Sequence, residues 1–63
     1  MLAVIPPFDI HKVGEDGVQF WVEAVSTLDA AIARVKELAE FWPSEYMIFS
    51  QQTGNKISIK PDS

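Results

Sequence analysis

The chain has no cysteine, a single histidine and five basic residues against nine acidic ones, and each shortage removes a class of chemistry. Without cysteine there are no disulfides to brace a small fold and no thiolates to hold a metal. His11 stands alone, and one imidazole makes a zinc site only with a cluster of carboxylates around it. Neither a metal nor another cofactor is expected. Lys12, Arg34, Lys36, Lys56 and Lys60 are scattered along the chain, whereas a protein that neutralises phosphates needs its cations gathered in a stripe. With a formal net charge of −4, nucleic acid is not an expected partner. The apolar start Met1-Leu2-Ala3-Val4-Ile5 carries no basic residue and no long hydrophobic run, so it reads neither as a secretory signal nor as a membrane span. A cysteine-free composition suits a reducing compartment, and the expected location is the cytoplasm.

What remains is an ordinary globular balance, 48% hydrophobic and 22% charged, which argues against disorder. Sixty-three residues make one domain, read as an extended arm over 1–7, a core over 8–60 and a tail over 61–63. A chain of this size buries only about 60% of its unfolded surface. Small folds add disulfides, metals or a second subunit to a core like that. With the first two excluded by composition, association is the stabiliser left.

Period-2 and period-3.6 patterns divide the chain cleanly. Pro6-Pro7 force an extended lead-in, and Phe8 to Val13 alternates as a strand. Gly14-Glu15-Asp16-Gly17 is a turn, with Asp16-Gly17 suiting a three-residue loop whose glycine is left-handed. Val18 to Val25 is a second strand, rich in aromatic and β-branched residues. That register sets His11 opposite Trp21, Val13 opposite Gln19 and Ile10 opposite Val22. Phe8, Ile10, Val18, Phe20, Val22 and Ala24 then share one face. Asp9, His11, Val13, Gln19, Trp21, Glu23 and Val25 share the other.

Ser26-Thr27 cap a helix whose first turn holds Asp29 at the positive end of the helix dipole. Leu28, Ala31, Ile32, Val35, Leu38, Ala39 and Trp42 recur at three- and four-residue steps as one apolar stripe, and Pro43 stops the run. Tyr46 to Gln51 is a third strand, Gln52-Thr53-Gly54 a turn, and Asn55 to Lys60 a fourth strand. If Gly54 is left-handed like Gly17, Met47 and Phe49 face inward while Tyr46, Ile48 and Ser50 face outward. A two-residue turn at Gly54-Asn55 would reverse the third strand's faces. The first is favoured because it places apolar residues inward on both strands.

The fold class that follows is α+β: a ββαββ order, with a four-stranded, mainly antiparallel sheet and one helix packed on one face. Strand orders 1-2-4-3 and 2-1-3-4 both keep neighbours antiparallel. Asp9 and Glu23 fall opposite each other in this register, an unfavourable pair that Lys56 and Lys60 on a neighbouring strand would relieve, which leans toward 1-2-4-3. Ala30 to Ala39, Glu45-Tyr46-Met47-Ile48-Phe49 and Thr53-Gly54-Asn55-Lys56-Ile57 together resemble small bacterial domains of unknown function. In those domains a hairpin, an alanine-rich helix and a second hairpin follow one another. The resemblance spans about residues 8 to 60; it implies the fold and carries no activity or functional residues.

One helix about 10 Å across covers one face of a sheet roughly 19 Å wide, and nothing in the core remains for the other. The candidate interface is that open face, with Trp21, His11, Val13, Val25, Tyr46 and Ile48 as its residues; tryptophan and tyrosine are common binding anchors. The expected function is therefore a non-enzymatic domain acting through protein association. A second copy is the first expected partner and a foreign protein the next, because two-fold dimers are the commonest assembly. Leu2-Ala3-Val4-Ile5 offers a further segment for pairing along a strand edge. Two other readings stand beside this one. The first is a nucleic-acid module that stacks bases on the aromatic sheet face. The second is a minimal enzyme with an inter-subunit site around His11 and Asp9, although no catalytic motif is present.

Overall fold

The computed structural model describes residues 6–60, and the Leu2–Ile5 segment and the tail at 61–63 lie outside them. Two hairpins flank one helix: β1 (Phe8–Val13), β2 (Gln19–Val25), α1 (Leu28–Phe41), β3 (Glu45–Ser50) and β4 (Lys56–Ile59). All neighbouring strands are antiparallel in one four-stranded sheet, giving the expected ββαββ α+β fold. The strand order is β2-β1-β3-β4, not the 1-2-4-3 toward which the charge argument leaned. That argument needed Asp9 opposite Glu23, and the pair does not exist: Asp9 lies opposite Ala24.

A β-bulge removes it. His11 pairs with Trp21, and Val13 with Gln19, as the turn chemistry predicts. Between His11 and Ile10 the register slips by one, so Ile10 meets Glu23, Phe8 meets Val25, and Val22 is the extra residue. A one-residue slip moves every later side chain to the opposite face. Glu23 and Val25 thus join Phe8 and Ile10, while Ala24 goes with Asp9.

Three rows of cross-strand neighbours define the helix side of the sheet: Val25, Phe8 and Ser50; Glu23, Ile10, Ile48 and Ile57; Phe20, Lys12, Tyr46 and Ile59. Ala31, Val35 and Leu38 of α1 pack onto Ile10, Tyr46 and Ile48 to form the core, with Phe8, Val22, Val25, Leu28, Ile32, Ala39 and Ile59 around it. Thr27 caps the helix, its Oγ1 accepting from the Ala30 N–H at 3.1 Å. The helix ends at Trp42, whose N–H still donates to the Leu38 carbonyl, just before Pro43. Trp42 has left helical backbone angles. It therefore leaves the apolar stripe and stands exposed, against the sequence expectation.

The helix rests on β1, β2 and β3 and does not reach β4. Its docking onto β2 includes an ion pair: Arg34 Nε donates to Glu23, with Glu37 3.8 Å away on the helix. The Glu23 hydrogen bond, then its charge, raises the Arg34 pKa further above its ordinary value. The bulge is what turns Glu23 toward the helix.

Candidate association surface

The face opposite the helix is built from the alternate residues of the same strands. Its rows are Ala24, Asp9, Phe49 and Lys56; Trp21, His11, Met47 and Ser58; and Gln19, Val13 and Glu45. No element among the described residues covers it. Trp21 stands at its β2 margin, 62% exposed, yet its ring is held: Nε1 donates to Asp9 Oδ1 at 3.3 Å. The second Asp9 oxygen accepts from Gln51 Nε2 at 2.8 Å. One carboxylate thus ties β2, β1 and the end of β3 together on this face.

His11 lies between Trp21 and Met47, half-buried, and its Nδ1 is buried without a hydrogen-bond partner among the described residues. Both Asp9 oxygens are engaged by Trp21 and Gln51, so the orienting carboxylate that the His11–Asp9 reading needs points elsewhere. Among the described residues, no three His, Asp or Glu side chains gather as a metal-binding group. No helix among them is long and apolar enough to cross a membrane.

Of the six candidate interface residues, Trp21, His11 and Val13 lie on this open face. The other three do not. Val25 is turned to the helix side by the bulge and packs against the core. Tyr46 and Ile48, each 1% exposed, are core residues. They are inward because the second hairpin loop is one residue longer than expected. Gly54 is left-handed at φ +77°, but its N–H donates to the Ser50 carbonyl and the Ser50 N–H to Asn55. The loop is Gln51–Gly54, so Tyr46 meets Ile59 and Ile48 meets Ile57. Met47 and Phe49, expected inside, take the outer positions beside His11 and Asp9. Met47 is nonetheless buried, in mid-sheet between His11 and Ser58.

A second apolar region was not anticipated. Phe20 is 56% exposed and Phe41 80%, with Val18 and Trp42 also open to solvent. All four are at one end of the molecule. Phe20 shares a row with Lys12 and Tyr46, and the Tyr46 hydroxyl donates to the Trp42 carbonyl at 2.7 Å. Ser44 Oγ, just beyond the helix, donates to the Val13 carbonyl at 2.9 Å. The helix runs out over this row and leaves Phe20 beside it uncovered. The sequence signal was Phe41-Trp42 directly before Pro43, two aromatics at a point where the helical stripe can no longer aim them at the sheet.

Beside the helix, the uncovered strand β4 leaves two shallow grooves. One, about 240 Å³, lies among Phe8, Leu28, Ile48, Thr53 and Ile57. The other, about 520 Å³, lies among Val35, Ala39, Pro43 and Ile59 with Lys36 and Lys60 at its rim. Comparison with protein-family models, with curated proteins and with solved structures finds no match for this chain.

Proposed function

We propose that the chain is a non-catalytic domain that acts through protein association, as a homodimer, with the open sheet face around Trp21 as its contact surface. The observation that carries this reading is Trp21 itself, largely exposed yet fixed to Asp9. An aromatic side chain already held in one orientation loses little conformational entropy on docking, which is what makes such residues binding anchors. His11, Val13 and Phe49, each half-buried, extend a partly apolar surface from it across the sheet. The small core, for its part, gains from a second subunit. The cysteine-free composition suits a reducing cytoplasm, the location we propose with this reading.

Light scattering across a dilution series tests it. The wild type is expected at twice the chain mass at high concentration, and Trp21→Ser at a lower mass with its helix content by circular dichroism unchanged. An unaltered mass in Trp21→Ser would remove Trp21 from the contact.

A further inference from the structure

We infer that two copies of this chain join along the free edge of β2, pairing antiparallel about a two-fold axis at Phe20, to make one continuous eight-stranded sheet. The inference rests on the homodimer of the reading above and moves its contact from the sheet face to the strand edge at which Trp21 stands. The sheet has two edges, β2 and β4, and they are built differently. Edge strands invite pairing unless they are short, charged with lysine, interrupted by proline or bulged. Strand β4 has four residues, is bounded by Lys56 and Lys60, and is followed in sequence by Pro61. Strand β2 has seven residues and neither lysine nor proline. Its bulge at Val22 and its one charge, Glu23, lie toward the far end, leaving Val18-Gln19-Phe20-Trp21 unguarded.

Among the described residues, no strand pairs with the outer side of that stretch. The Gly14 N–H donates to the Val18 carbonyl at 2.8 Å, closing the hairpin. Hydrogen-bonded and non-bonded pairs alternate along an antiparallel ladder, so Phe20 bonds to Lys12 while Gln19 and Trp21 point their N–H and C=O groups away from β1. Those are the groups a second β2 would take. Gln19 of each copy then pairs with Trp21 of the other, and Phe20 faces its own counterpart in a non-bonded position, where side chains approach most closely.

The occupant is a second copy because the pairing is self-complementary. The seam itself, Gln19 to Trp21, and the Val18 and Val22 that flank it carry no charge in a chain of net charge −4. Glu23, next to it, already has Arg34 as its counter-ion. A two-fold axis normal to the sheet keeps both helices on one side. Phe20 and Val18 of the two copies then meet there, close to the ends of both helices with Phe41 and Trp42. Among the described residues, five of the six large exposed apolar side chains, Val18, Phe20, Trp21, Phe41 and Trp42, thus lie at or beside the seam.

Amide hydrogen exchange and molar mass, read together on the full chain, test the arrangement. At concentrations where light scattering gives a dimer, the Gln19 and Trp21 amides are expected to exchange slowly, and to lose that protection on dilution. Phe20→Lys, which sets two like charges face to face on the axis at an exposed position, is expected to be monomeric with unchanged helix content. Gln19→Pro removes an outward N–H from each copy without taking a bond from β1 and is expected to weaken the dimer about thirtyfold, whereas Gln19→Ala keeps it. A dimer whose Gln19 and Trp21 amides exchange as fast as in the monomer overturns the edge seam and leaves association through the sheet face standing. A wild type that is monomeric throughout overturns both.

Discussion

Tyr46 closes the junction between the helix end and the sheet, and its hydroxyl satisfies a carbonyl that the helix cannot. The last carbonyls of any helix lack intrahelical donors, and Trp42 C=O receives the Tyr46 O–H at 2.7 Å. Tyr46→Phe keeps the ring in the core and removes that donor, and is expected to cost about 1 kcal/mol in chemical denaturation. Burial raises the Tyr46 pKa above its ordinary 10.0, because the phenolate loses its hydration. The sign follows directly. The unfolded tyrosine ionises near pH 10.0 and the folded one resists, so the contribution is whole below that pH and is lost as pH rises through and above it. Stability of the wild type should therefore fall more steeply than that of Tyr46→Phe above about pH 10. The chain has one tyrosine, so phenolate absorbance reports this group alone. Ionisation at an ordinary pKa in the folded protein would contradict the burial argument.

At the scale of elements, the two hairpins show what a local pattern can and cannot specify. Gly17 is left-handed at φ +84°, as Asp16-Gly17 before a β-branched run suggests, and it fixes the pairing of His11 with Trp21. A Cβ there would meet nothing within 4 Å, so a substitution pays only the backbone term. Gly17→Ala should cost about 1–2 kcal/mol, and Gly17→Asn less, because asparagine tolerates the left-handed region. Equal losses from denaturation midpoints would mean that something other than the dihedral is being disturbed. The helix was equally legible, since its stripe, its Thr27 cap and its Pro43 stop are all short-range signals. Two features were not. The bulge at Val22 answers to long-range contacts: it turns Glu23 toward Arg34 and Val25 toward the core, and neither demand is visible within β2. Tyr46-Met47-Ile48-Phe49 is apolar in both phases, so alternation does not choose a face. A loop one residue longer reversed the strand and moved Tyr46 and Ile48, two of the six candidate interface residues, into the core.

For the whole molecule, stability and assembly become one quantity if the β2 edges pair. The helix covers three strands of four, and its end leaves Phe41 and Trp42 in water beside the exposed Phe20. Whatever binds the folded state alone stabilises it by mass action, and a second copy is such a ligand. For a dimer that unfolds to separate chains, each tenfold rise in concentration favours the folded state by about 1.4 kcal/mol per dimer, or roughly 0.7 per chain. In a domain of this size that shifts Tm upward by about 3–6 °C. Trp21→Ser and Phe20→Lys should lose this concentration dependence by different routes, the first by removing the anchor on the open face and the second by placing charge on the seam. A wild-type Tm that stays constant over a hundredfold dilution, with light scattering showing a dimer throughout, would mean that the protomer folds without help. The exposed aromatics would then serve recognition and contribute nothing to the fold.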